Sequence, residues 1–241
     1  MMEKKTTKRH WDSLWEKSNL LYNEKICSII KEKFDIKGLK ILEVGAGSGN
    51  TSIYLASLGA DVTALDYSNK SIKLIEKNNI NNYPIKIIQG DAFHLPFYDN
   101  TFDLVFSQGL IEHFRNPEEI VKEKRRVTKK GGYVLVDVPQ KYNMYTLKKV
   151  VLISLNKWFA GWERSFSINE LTSLVENCGL KVEEKFAYSH IHNLHRIQMR
   201  ILKKEIIPKF ITNFYNKSWE IFEKSFISPY ILFAIIVLAK K

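Results

Sequence analysis

Short apolar runs alternate along the first half of the chain with longer segments whose apolar residues recur at helical spacing. Residues 41–44, 62–65, 85–88, 102–106 and 133–138 are β-rich runs bounded by Gly, Asn and Asp, and they predict five strands. A helix is expected after the first, through Tyr54 and Leu58. A second is capped by Ser68 and fades at Asn78-Asn79. A third has Asn116 as its cap, Pro117 at the first helical position, and Glu118 and Glu119 at the positive end of the dipole. Lys129-Lys130-Gly131-Gly132 is expected to stop it, with cations and then glycine at the negative end. Strands alternating with helices predict a parallel sheet covered on both faces, an α/β doubly wound fold.

The second half repeats the theme less regularly. Ser167 and Glu170 form a capping box, Phe166 and Leu171 are spaced as its hydrophobic staple, and the helix ends at Gly179. Residues 182–188 predict a sixth strand and 230–239 a seventh. That last run is too short to span a membrane and is stopped by Lys240-Lys241, so a buried strand is expected. Residues 140–164 and 190–228 do not fit the alternation. They are the candidate substrate-cap insertions of a single domain over 1–241, because insertions in such folds commonly build the ligand site.

Composition adds limits. A chain of 241 residues with 45% apolar and 12% aromatic content can bury one large core, which excludes wholesale disorder. Cys27 and Cys178 are far apart and make no metal or redox spacing, which suits a reducing, cytoplasmic setting. The start, Met1-Met2-Glu3-Lys4-Lys5, is charged and runs into Trp11 and Trp15 without an apolar stretch, so no signal peptide is expected. The net charge of +11 favours an acidic partner: nucleic acid, an anionic membrane surface or an acidic substrate. A lysine-rich composition throughout the chain also accounts for it, and is the plainer reading.

The chemistry gathers at four strand ends. After the first strand, Glu43-Val44-Gly45-Ala46-Gly47-Ser48-Gly49-Asn50 makes a glycine turn into a helix, where the backbone can approach a ligand closely. A dinucleotide fingerprint would place a third glycine at position 50, where Asn50 stands. Asp66 ends the second strand, where a carboxylate can accept from both hydroxyls of a ribose. Gly90-Asp91-Ala92 follows the third, and Ser107-Gln108-Gly109 the fourth. All four lie at the carboxyl edge of one sheet, where such folds bind ligands.

Residues 41–49 (ILEVGAGSG), Asp66-Tyr67-Ser68, Gly90-Asp91-Ala92, residues 95–103 (LPFYDNTFD) and Glu112-His113-Phe114 resemble the successive motifs of class I S-adenosylmethionine-dependent methyltransferases, in the branch with quinone and small-molecule enzymes. The resemblance covers about residues 41–138, and 166–182 more weakly. It implies a seven-stranded sheet ordered 3-2-1-4-5-7-6 with the last strand antiparallel, and S-adenosylmethionine as cofactor. It also implies that Gly45, Ala46 and Gly47 approach the methionine part and sugar, with Glu43 organising the loop beneath and Asn50 opening the helix. Asp66 would hold the ribose, with Tyr67 and Ser68 beside it. Asp91 would take the adenine amine and Ala92 a ring nitrogen. Gln108, Gly109 and His113 would lie near the sulfonium.

Methyl transfer from a sulfonium is an in-line displacement, and it needs a general base only where the acceptor must lose a proton. His113 is the candidate base, or a structural histidine bonded to a loop carbonyl; the sequence leaves both open. His190, His192 and His195 lack companion ligands, so no metal site is predicted. Residues 148–162 carry cations, an aliphatic block and Trp158 and Trp162, as would an interfacial helix, a lid over an apolar acceptor, or a helix packed on the sheet. Trp11, Trp15 and Tyr22 cover the cleft or pack in the core. The basic stretch 122–130 reads as a solvated face. No Asn/Asp-Pro-Pro-Tyr motif follows the fourth strand, where Ser107-Gln108-Gly109-Leu110 stands, and no RNA-binding module fits the length, so nucleic acid is disfavoured. The expected function is methyl transfer to a small-molecule or lipid-like acceptor. Methylation of RNA or protein, and a non-catalytic adenosylmethionine-binding module, are the competing readings.

Overall fold

In the computed structural model, which describes Asp12 and residues 24–155, 162–188, 217–218 and 232–241, the strands are β1 (Lys40–Val44), β2 (Asp61–Asp66), β3 (Ile85–Gln89), β4 (Phe102–Gln108), β5 (Thr128–Pro139), β6 (Lys181–Tyr188) and β7 (Ala234–Lys240). They form one sheet in the order β3-β2-β1-β4-β5-β7-β6. β1 to β5 pair in parallel, and β7 lies antiparallel between β5 and β6. The helices are α1 (Glu24–Lys33), α2 (Asn50–Ser57), α3 (Asn69–Asn78), α4 (Pro117–Val127), α5 (Met144–Ser154) and α6 (Ile168–Asn177).

Both sheet faces are covered, which is why the central strands read as nearly continuous apolar runs. On one face Ile26 and Ile30 of α1 and Leu55 of α2 pack against Ile41, Leu104, Phe106 and Ile236. On the other, Ile120 and Val121 of α4 and Leu171 and Val175 of α6 meet Leu42, Val105, Val136 and Val237. Each fully buried Ile, Leu or Val contributes about 1.5–3 kcal/mol relative to exposure, so these layers fix the strand ends rigidly. Among the described residues no helix is long and apolar enough to cross a membrane.

Local signals performed unevenly. The Ser68 hydroxyl accepts from the Lys70 and Ser71 amides at 3.2 Å, and Ser167 and Glu170 close their box at 3.2 and 2.7 Å. Asn116 does not cap α4 through its side chain. The Glu119 amide already donates to the Asn116 carbonyl at 3.3 Å, and the Asn116 side-chain amide turns to Glu119 Oε1. α4 also ends at Val127, ahead of the lysine–glycine stop, because the Thr128 hydroxyl donates back to the Lys124 carbonyl at 2.7 Å and the chain enters β5 directly. Residues 129–132 then bulge, shifting the pairing from Phe102–Thr128 to Leu104–Tyr133. β7 begins at Ala234, not at 230. Trp11, Trp15, Tyr22, Trp158, His190, His192, His195 and nearly all of 190–228 lie outside the described residues.

Candidate active site

The register places the four predicted strand ends side by side. Val44 pairs with Leu65, Asp66 with Gln89, Glu43 with Phe106, and Gln108 with Asp137. Between β1 and α2 the chain turns through Gly45 at φ +75°, and a Cβ there would stand 2.9 Å from the Leu110 side chain. Glycine is required there for both reasons. Gly49 precedes α2, and a Cβ on it would strike Ile75 at 2.6 Å, which seats α3 against the loop.

The loop is held from below by Glu43. This buried carboxylate accepts from Gln108 Nε2 at 2.7 Å and from Ser52 Oγ at 2.6 Å, and Gln108 Nε2 also donates to Thr51 Oγ1 at 2.9 Å. Burial pushes the Glu43 carboxyl up to about 7, opposed by its bonds to Ser52 and Gln108. Glu43 and Gln108 therefore pin the first turn of α2 to the end of β4.

Asp66 holds the loop from the side. Its Oδ2 accepts from the Gly47 amide at 2.8 Å and its Oδ1 from the Ser68 amide at 2.9 Å. Burial raises its pKa, and these backbone bonds oppose the shift. The Gly45 and Ala46 amides donate to the Leu65 carbonyl at 2.8 and 3.0 Å. The amides at the turn are thus largely taken up internally, so the loop is a rigid shelf and not an open anion cradle. Asn50 opens α2 with its Oδ1 3.4 Å from Asn78 Nδ2, which also donates to the Ser48 carbonyl at 2.8 Å. Tyr67 stands half-exposed beside the shelf. Asp91 is exposed, its Oδ1 accepting from the Phe93 amide at 3.0 Å, and Ala92 is buried next to it.

Several neighbours went unread in the sequence. Asp12 accepts from the Ser68 hydroxyl at 2.5 Å, just past the end of β2. Lys124, inside the stretch read as solvated, is fully buried, its Nζ donating to Ser107 Oγ at 2.8 Å and the Leu135 carbonyl at 2.9 Å. Burial lowers its pKa to about 7. Its spacing from Ile120 and Val127 was the available signal, since i, i+4, i+7 shares one helix face. Arg126, in the same stretch, is bound to Glu123, Asp99 and the Leu95 and Phe97 carbonyls.

On the far side of β4, His113 is buried with Nδ1 3.4 Å from the Trp162 carbonyl, and Arg115 lies 5.0 Å over the Trp162 ring. A loop-carbonyl contact of this kind suits a structural histidine and equally orients the ring of a base. Beside it are two buried acids, Glu112 and Asp137. Asp137 Oδ2 accepts from the Tyr188 hydroxyl at 3.0 Å. Burial pushes the Asp137 carboxyl up to about 7, and that of Glu112 well above its ordinary value. From α5, Lys149 reaches inward to Glu163 Oε1 at 2.6 Å, with both side chains buried.

The family described as methyltransferase domain matches residues 42–136, the span that carries this shelf. A demethylmenaquinone methyltransferase from Renibacterium salmoninarum is 38% identical over 101 residues, covering 42% of this chain and 41% of its own length. A phosphatidylethanolamine N-methyltransferase from Cereibacter sphaeroides is 32% identical over 148 residues, covering 57% of this chain and 69% of its own. The chain thus spans less than half of the first relative and about two thirds of the second. The crystal structure of magnesium protoporphyrin IX methyltransferase from Synechocystis, with S-adenosylhomocysteine bound, superposes with a TM-score of 0.63 at 13% identity over 97% of this chain and 93% of that one, a likeness of fold. The chain belongs to the class I S-adenosylmethionine-dependent methyltransferase family.

Proposed function

We propose that this protein transfers the methyl group of S-adenosylmethionine to a small-molecule or lipid-like acceptor. The observation that carries the reading is the shelf at the ends of β1 to β4, with Gly45 open for close approach, Asp66 and Asp91 at neighbouring strand ends, and Tyr67 half-exposed between them. The residues fit the cofactor. The Asp66 carboxylate, bonded to the Gly47 and Ser68 amides, ends β2 where a ribose hydroxyl would reach it, and the Asp91 carboxylate can accept from an adenine amine. Gly45, Ala46 and Gly47 would lie against the methionine part, and Gln108 and Gly109 near the sulfur. When bound, the cofactor supplies an already activated methyl group. The protein's part is to fix the shelf through Glu43 and Asp66 and to exclude water. His113, with Nδ1 near the Trp162 carbonyl, is proposed to line the acceptor side of the site.

The lipid-like part rests on α5. Leu147, Val150, Val151 and Leu155 are all at least half exposed and recur at helical spacing, while Lys149 points inward. An apolar stripe facing outward on a protein of charge +11 suits contact with an anionic membrane surface that holds the acceptor. The two curated relatives described above carry names with lipid-like acceptors, which supports the same class. The test is transfer of radiolabelled methyl from S-adenosylmethionine into lipid-extract and water-soluble fractions. Label entering an organic-soluble product supports the reading, and label entering only RNA or protein overturns its acceptor class.

A further inference from the structure

Glu112 Oε2 and Asp137 Oδ1 are buried and have no hydrogen-bond partner among the described residues. Their residues are 2% and 6% exposed. Such groups are costly unless something answers them, and native structures seldom leave them alone. We propose that Glu112 and Asp137 together receive the amino group of the methyl acceptor as its ammonium, so that the substrate is an amine. This rests on the methyltransferase reading and names the reacting group at that site.

The location fits. Gly109, at the end of β4, donates its amide to the Asp137 carbonyl at 3.1 Å, and a Cβ on it would lie 3.3 Å from Glu112 Oε1. Both acids therefore flank the residue that follows Gln108, the last of the donor shelf. The cations around them are engaged elsewhere. Lys149 is held by Glu163 and Ser165 at 2.6 and 2.5 Å, and Lys124 by Ser107 and the Leu135 carbonyl. Arg164 lies over the Phe166 ring at 4.2 Å, and Arg115 over Trp162. His113 Nε2 is 4.0 Å from Glu112 Oε1, beyond a hydrogen bond, and the Tyr188 hydroxyl serves the other Asp137 oxygen. Around Glu112, the charges of Asp137 and Glu163 are opposed by that of Lys149. A hydroxyl brings one donor and no charge. An ammonium brings a positive charge and several donors.

Chemistry follows from the same pair. Burial raises the pKa of both carboxyls, that of Asp137 to about 7, and an arriving ammonium draws them back toward the ionised form. Binding near neutral pH therefore releases a proton. Before attack, an N–H bond of the ammonium breaks, the proton passes to Asp137 Oδ1, and the electron pair stays on nitrogen as the nucleophile.

Octylamine and 1-octanol, matched in their apolar chain, test this on the intact protein saturated with S-adenosylhomocysteine. Calorimetry in buffers of different ionisation enthalpy should show octylamine binding about tenfold or more tighter than octanol, with proton release near neutral pH. Glu112→Gln and Asp137→Asn should each weaken octylamine about tenfold and lose the release, with S-adenosylhomocysteine affinity within about twofold of wild type. Equal binding of octanol and octylamine overturns the proposal, as do variants that bind octylamine like wild type. If either variant does not fold, the wild-type amine–alcohol comparison decides. A wild type that fails to bind S-adenosylhomocysteine strikes the methyltransferase reading instead, and the same comparison without it still judges the acid pair.

Discussion

At Asp66 the observed loop contacts and the proposed ligand contact meet in one side chain. Its two oxygens already hold the Gly47 and Ser68 amides, so removing it loosens the shelf as well as the expected ribose contact. Asp66→Ala should weaken S-adenosylhomocysteine by roughly ten- to a hundredfold, about 1.5–3 kcal/mol for charge-assisted bonds, with far-ultraviolet dichroism unchanged. Asp66→Asn, which keeps one acceptor oxygen, should lose less. Unchanged affinity in the alanine variant would place the ribose elsewhere. Lys124 gives a second prediction. Its pKa falls from 10.5 to about 7 on folding, so the stability it contributes is complete above about 10.5 and is lost as pH falls through about 7. Lys124→Met should therefore raise the melting temperature most at or below pH 7, with the advantage shrinking toward pH 10.5. A constant difference across that range would contradict a buried, titrating ammonium. Asp66 was legible because an acid ending a strand is a local pattern. Lys124 was not, because a basic run suggests solvent, and only its spacing from Ile120 and Val127 shows that it turns inward.

At the scale of elements, α5 runs against the usual arrangement. Leu147, Val150 and Val151, with Leu155 just past its end, face out, while Lys149 is buried against Glu163. The sequence revealed an aliphatic block with flanking cations but not which side met the protein, since three-dimensional pairing with Glu163 decides that. Two variants separate the roles. Val150→Asp with Val151→Asp should sharply reduce cosedimentation with vesicles containing anionic phospholipid, while stability stays within about 0.5 kcal/mol per exposed site. Undiminished sedimentation would remove the membrane contact. Lys149→Met should instead destabilise by about 3–5 kcal/mol, because it removes one partner of a buried ion pair. Hydrogen exchange over 144–154 should then rise in the variant; exchange equal to wild type would mean that the ion pair does not pin α5. The end of α4 makes the same point about range. The lysine–glycine stop was a sound local signal, but Thr128 closed the helix earlier and passed the glycines to a bulge in β5.

Across the whole molecule, alternation of strand and helix patterns was enough to show a covered parallel sheet, and family resemblance supplied the order of strands that alternation cannot. The order β3-β2-β1-β4-β5-β7-β6 brings the glycine loop, Asp66, Asp91 and Gln108 to one edge, although they are far apart in sequence. The acceptor side was much less legible. Glu112, Asp137, Lys149 and Glu163 come from four separate segments, and only packing brings them together. The central claim is that this edge binds the adenosylmethionine skeleton. Calorimetric titration of the purified protein with S-adenosylhomocysteine tests it most directly, with melting followed in parallel, since a ligand of the native state at about a hundred times its Kd stabilises by about 2.7 kcal/mol. The account predicts saturable binding, a raised melting temperature and a marked loss of both in Asp66→Ala. Folded protein that gives neither heat of binding nor a thermal shift at saturating ligand would contradict it.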